Sequence, residues 1–224
     1  MATTDRQGPR WLNSGHSQLD VAAAFFALAQ SDGFVVVGGA ALLALSLIDR
    51  PTEDLDFFTD DPTRISDAVT ALIATAGSNG WPVEIVRSTA TFHRMELTVD
   101  RETVLVDLAV DSPPRRETVT ASIGPTLDPL ELAGRKLLAL FDRAAPRDFA
   151  DVHRLSLRFD RTAIVDIAIE IDPGLDLAYL AYALDRAATI SDRDFPAEAD
   201  EIERLRLWAA DWAQSIRAKL AAEQ

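Results

Sequence analysis

The sequence has 224 residues and no cysteine. Disulfides, thiol nucleophiles and cysteine-based zinc sites are therefore excluded. Histidine is scarce: His16, His93 and His153 are scattered, without HExxH or paired spacing, and none is assigned to a metal or to catalysis. Long apolar runs are missing. The longest early one, Val21 to Ala29, falls short of the ~20 residues a membrane span needs. The first residues carry Asp5, Arg6 and Arg10 rather than a signal-peptide core. Basic charge is also short, with 22 lysines and arginines against 36 acidic residues and a net charge of −14. That deficit argues against broad nonspecific binding of nucleic acid, which depends on cationic surface. It leaves room for a local basic patch and suits a basic partner. Internal repeats and low-complexity tracts are lacking too. These absences lead us to expect a soluble, cytoplasmic protein, and 48% hydrophobic residues suffice for a core.

The most informative stretch runs from Phe34 to Phe58. A β-branched strand, Phe34 to Val37, ends in Gly38-Gly39. A helix over Gly39 to Leu47 follows, then a loop, Arg50-Pro51-Thr52, and a strand with Asp54 and Asp56. Strand residues two apart share a face, so the two carboxylates lie side by side, with Glu53, Leu55 and Phe57 on the other face. Adjacent carboxylates repel unless a cation lies between them. Mg²⁺ is usually held by one or two carboxylates together with substrate phosphates. The glycines allow a sharp turn and close approach of a ligand, and a helix N-terminus there favours phosphate. The order and spacing of these parts resemble the nucleotidyltransferase pattern of the DNA polymerase β type.

Strands are expected at Val83 to Arg87, Thr91 to Val99 and Thr103 to Val110, with Asp100-Arg101 as the hairpin turn between the last two. Asp107 interrupts the apolar third strand, and a carboxylate there needs a partner. It is either paired with an arginine or, as the Asp-x-Asp upstream favours, a third metal-site carboxylate. After Asp128-Pro129 the chain turns helical, which sets a boundary near residue 127. In the helix over Pro129 to Ala144, the buried face is Leu130, Ala133, Leu137, Leu140 and Phe141, with Glu131, Arg135 and Asp142 opposite. Lys136 falls at the edge of the apolar stripe, as a snorkelling surface lysine or as one reaching a cleft. In the helix from Pro146, Asp148 is in phase with Val152, Leu155 and Phe159, so it requires a buried cation, with Lys136 or Arg50 expected. Asp151 is expected in solvent beside Arg147. Further helices are read over Arg161 to Ile171, Leu175 to Ala188 and Ala197 to Ala222, the last packing through Trp208 and Trp212.

Three blocks resemble the AbiEii/AbiGii-type nucleotidyltransferase toxins, which include the mycobacterial tRNA-modifying MenT toxins. They are Val37 to Ala40 with Arg50 to Phe57, Val106-Asp107-Leu108, and Leu127 to Leu140 continuing to Arg143 and Pro146 to Asp151. The likeness covers about residues 20–155. It implies an α+β fold: a polymerase-β-like core, a mixed sheet with flanking helices, over 1–127, and an all-helical half over 128–224 that completes the active site. It also implies Mg²⁺-dependent (or Mn²⁺-dependent) transfer of a nucleotide from a nucleoside triphosphate, for some members onto the 3′ end of tRNA, and an antitoxin partner. Carried over residue by residue, Gly38 and Gly39 shape the phosphate loop, Asp54 and Asp56 bind metal, Lys136 contacts the triphosphate, and Asp148 is the late catalytic aspartate; Arg50 and Thr52 are counted with Gly38, Gly39 and Lys136 as nucleotide-binding. Asp107 joins them as a third metal ligand or as the base for the incoming hydroxyl. Many relatives have Gly-Ser where this chain has Gly38-Gly39. Two other classes remain open: nucleotidylation of a cationic small molecule such as an aminoglycoside or of a protein side chain, and a catalytically dead binding module.

Overall fold

The computed structural model describes residues 11–222. The sequence predicts an irregular lead-in over residues 1–15 and a helix over Gln18 to Gln30 with Leu19, Ala22, Phe26 and Ala29 near its inner face; residues 1–10 lie outside the described range. The rest of that lead-in is helical: α1 runs over Trp11–Phe26, not Gln18 to Gln30. Its buried face is Gln18, Val21, Ala22 and Phe25, while Leu19, expected inside, is exposed. Gln18 is tolerated inside because its amide donates to the carbonyl of Thr52 at 2.9 Å.

The first compact unit ends at Leu127 and the second begins at Asp128. In the first, β1 (Val35–Val37), α2 (Gly38–Ala44) and β2 (Asp54–Thr59) follow α1. Then come α3 (Ile65–Ser78), β3 (Val83–Ser88), β4 (Phe92–Val99) and β5 (Glu102–Val110). Asp100 and Arg101 both have positive φ, at 49° and 70°, the geometry a two-residue hairpin turn requires. The loop after Ser112 conceals a second hairpin, β6 (Val119–Ala121) and β7 (Gly124–Thr126). Three residues each, with Gly124 and Pro125 inside, leave no alternation to read.

The described strands form one seven-stranded mixed sheet in the order β3-β4-β5-β2-β1-β7-β6. Sequential neighbours run antiparallel, whereas β2 lies parallel to β5, and β1 to β7. Alternation along β2 buries Leu55, Phe57 and Thr59 on one face and leaves Asp54, Asp56 and Phe58 half-buried on the other. On the buried face, Phe25 of α1 stacks on Phe57 with ring centroids 4.2 Å apart, with Phe26 and Phe34 edge-on around them. Each such ring contributes about 1.5–3 kcal/mol of burial. This core holds β2 flat side down, and the opposite face carries its aspartates.

The second unit is helical: α4 (Pro129–Arg143), α5 (Pro146–Ser156), α6 (Arg161–Ile171), α7 (Leu177–Asp185) and α8 (Ala199–Ala222). Asp128 caps α4 by accepting from the N–H groups of Leu130 and Glu131, and Pro129 occupies the first turn, where no donor is lost. Ala144 turns left-handed (φ 46°) and Pro146 restarts the helix, so α4 and α5 form a hairpin. Trp208 and Trp212 of α8 are buried 5.3 Å apart, and His153 of α5 lies against Trp208. Among the described residues, His153 Nδ1 and Trp208 Nε1 have no hydrogen-bond partner. Glu131, expected on the outer face of α4, is fully buried and held by Arg135 at 2.9 Å. No described helix is long and apolar enough to cross a membrane.

Candidate active site

In the first unit the site is built on β2 and its neighbours. Asp56 lies in register between Val37 of antiparallel β1 and Asp107 of parallel β5, and Asp107 lies opposite Arg94 of β4. Registered neighbours project to the same face, so Asp54, Asp56, Asp107 and Arg94 share one side of the sheet. Asp107 is almost fully buried. The Arg94 guanidinium grips it with both arms, Nε to Oδ1 at 2.8 Å and Nη2 to Oδ2 at 2.6 Å. A paired fork of this kind satisfies both carboxylate oxygens. Asp107 holds the Arg94 guanidinium above its ordinary pKa. Burial works against that, and the charges of Asp54 and Asp56 add to it. The guanidinium also lies 5.7 Å from the Phe92 ring, with Arg87 5.5 Å from the same ring. The expected third metal-site carboxylate is thus the arginine-paired one: Arg94 was there to be found by counting outward from the Asp100-Arg101 turn, but only once that turn is fixed. Among the described residues, no three carboxylates or histidines are gathered closely enough to hold one ion.

Gly38 begins α2 with φ +68°, a backbone region that L side chains rarely adopt. A Cβ there would lie 2.0 Å from Asp56 Oδ2. The carboxylate occupies the space a side chain would take. At Gly39, a Cβ would meet Thr52 Oγ1 at 2.7 Å, with Arg50 Nη2 at 3.8 Å. The Gly-Gly pair therefore accommodates two side chains from the loop and strand that follow, as well as making a turn. The helix it opens is shorter than expected, ending at Ala44 rather than Leu47, because Ser46 turns to positive φ. Two half-exposed carboxylates on one rigid strand are hard oxygen donors, and that donor set fits a divalent ion such as Mg²⁺ or Mn²⁺ completed by phosphate oxygens.

The second unit carries its own cluster of ion pairs. Lys136 Nζ reaches Asp151 Oδ2 at 2.8 Å. Arg143 forks onto Asp148, Nε to Oδ2 and Nη2 to Oδ1, both at 2.7 Å. Both carboxylates are fully buried. Two expectations are corrected here. Asp148 is partnered by Arg143, not by Lys136 or Arg50, and Asp151 is buried, with Lys136 against it, rather than in solvent. The helical hairpin is the cause. Asp148 lies in the first turn of α5, next to the last turn of α4 and hence to Arg143. Asp151, a turn further along α5, meets Lys136 two turns back on α4. The phase of α5 alone does not show which residues α4 presents to it.

The family model for the nucleotidyl transferase AbiEii toxin of type IV toxin–antitoxin systems matches residues 21–223. Among curated proteins, none matches significantly in sequence. Solved structures do. JHP933 from Helicobacter pylori is 18% identical, with a TM-score of 0.60 over 96% of this chain and 95% of that one. A putative nucleotidyltransferase from H. pylori is 18% identical, with a TM-score of 0.62 over 97% and 99%. MenT4, a nucleotidyltransferase toxin from Mycobacterium tuberculosis, is 16% identical, with a TM-score of 0.59 over 96% and 99%. The structural likenesses show the shared fold, and the match along nearly the whole sequence shows the family: this chain belongs to the AbiEii nucleotidyltransferases, the toxins of type IV toxin–antitoxin systems.

Proposed function

We propose that this nucleotidyltransferase moves a nucleotide from a nucleoside triphosphate, with Mg²⁺, onto the 3′ end of tRNA, and that a cognate antitoxin opposes it. The observation that carries this reading is the Asp54–Asp56 pair on one face of β2, with Asp56 seated against Gly38. Asp54 and Asp56 hold the ion. When bound, the ion would supply charge to the reacting phosphate and the departing pyrophosphate. Gly38 leaves the space that fixes the Asp56 carboxylate, and Thr52 and Arg50 present a hydroxyl and a guanidinium beside Gly39 for phosphate oxygens. Lys136 has the triphosphate-contact role that the resemblance implies, with Asp151 as its counter-ion. Both Asp107 oxygens accept hydrogen bonds from Arg94, so the base role expected for Asp107 is left out of this reading.

The net charge of −14 supports a second acceptor class, a cationic small molecule. One experiment separates the two. The protein is incubated with Mg²⁺ and each labelled triphosphate in turn, with total tRNA or an aminoglycoside as acceptor. Nuclease-sensitive label in the tRNA fraction is expected, and Asp56→Ala should lose at least about a hundredfold in rate, as removal of charge stabilisation at a reacting centre does. Label on the aminoglycoside alone would move the acceptor to the second class. Expression of the wild-type chain should slow bacterial growth, and Asp56→Ala or Lys136→Ala at equal protein level should not.

A further inference from the structure

The carboxylate face of the first unit already contains a cation, and it belongs to the chain. Asp54, Asp56 and Asp107 share one face, and Asp56 and Asp107 are registered neighbours on parallel strands. Carboxylates so placed repel one another unless positive charge offsets them. Arg94 supplies that charge from β4, gripping both oxygens of Asp107 at 2.8 and 2.6 Å. The grip is well built. Asp107 is almost fully buried, Arg94 is fixed opposite it by the β4–β5 register, and the Phe92 ring backs the guanidinium.

We infer that Arg94 is a positioning residue that keeps Asp107 out of the metal-binding set, so that the chain holds its divalent ion through Asp54 and Asp56 alone. This rests on the reading of those two aspartates as the metal ligands. Ligand charge count sets the affinity of a hard-oxygen site. With Asp107 tied to Arg94, the site has two carboxylates rather than three, which favours an ion that arrives with the triphosphate and leaves with the pyrophosphate over a permanently resident one. The guanidinium also discharges the face when no ion is bound.

The test is binding of Mn²⁺ alone, without nucleotide, by calorimetry or by loss of the free-ion electron spin resonance signal. Four proteins are compared: wild type, Arg94→Gln, Asp107→Asn and the double variant, each with its melting curve. Releasing Asp107 to the ion should make Arg94→Gln bind Mn²⁺ at least about tenfold tighter, since affinity follows the number of charged ligands. The double variant should lose that gain. Wild-type affinity in folded Arg94→Gln overturns the inference. So does a gain that persists in the double variant, because then only the removed positive charge mattered. If Arg94→Gln does not fold, Arg94→Lys decides. Its ammonium cannot grip both oxygens, so affinity intermediate between wild type and the expected gain supports the inference and unchanged affinity overturns it. Asp56→Ala is the separate control. If it binds Mn²⁺ as wild type does, the assignment of the metal ligands fails, whatever Arg94 does.

Discussion

At the scale of single residues, Gly38 is the position with least freedom to change. Alanine there would have to hold φ +68° and place a Cβ 2.0 Å from Asp56 Oδ2. The left-handed backbone alone costs about 1–2 kcal/mol, and the contact must push the carboxylate aside. A displacement of about 1 Å at a reacting centre costs roughly a hundredfold in rate. Gly38→Ala should therefore lose transfer activity on that order while its melting temperature falls only modestly. An unfolded variant, or one with wild-type rate, would contradict the geometry. The common face of Asp54 and Asp56 was legible in the sequence because period 2 in a strand is a local rule. The partner of Asp107 was not, because it depends on which residue of β4 lies across the ladder.

At the scale of elements, the α4–α5 hairpin sets a ranking. Lys136 is 12% exposed and its partner Asp151 is fully buried. Arg143 is half-exposed where it meets Asp148. Removing one charge of a buried pair strands the other, at a cost of about 3–5 kcal/mol. Asp151→Asn should approach that range, because Lys136 has little access to water. Asp148→Asn should cost clearly less, because Arg143 can rehydrate. Urea unfolding of both variants checks the order, and an equal or inverted cost would refute it. Helical phase gave the extent of α4 and α6 nearly to the residue and placed Asp148 inside. It put Asp151 and Glu131 outside because it treats each helix as having one wet face, whereas here cations of α4 hold buried acids, Lys136 holding Asp151 of α5 and Arg135 holding Glu131 of α4 itself. The β6–β7 hairpin was hidden for a different reason: with three residues per strand, β7 is placed by its neighbour, Thr126 lying in register with Val36 of β1 and its hydroxyl donating to the Val36 carbonyl at 2.7 Å, not by any pattern of its own.

At the scale of the whole molecule, stability should depend on pH through His153. Burial against Trp208 pushes its imidazole below the ordinary value of 6.5. Arg204 and Arg161 act in the same direction, and Glu201 opposes them. The unfolded chain therefore takes up the proton first as pH falls through 6.5. Folding stability is full above that value, declines below it, and levels once the folded imidazole also protonates. His153→Gln should flatten this part of the curve, read as the difference in unfolding free energy between pH 7.5 and 5.5 against wild type; an unchanged difference would show that His153 does not carry it. The mixed, helix-flanked fold class was legible from the alternation of strands and helices before Leu127 and from helices alone after Asp128. The strand order was not, and it has one more consequence. Since β2 lies beside β5 and not beside β3, Asp56 meets Asp107 only after β3 and β4 have been made and the β4–β5 hairpin has docked. Such a non-local pairing comes late and slowly in folding. The ribosome must therefore have released the chain through β5 before Asp56 and Asp107 can become neighbours.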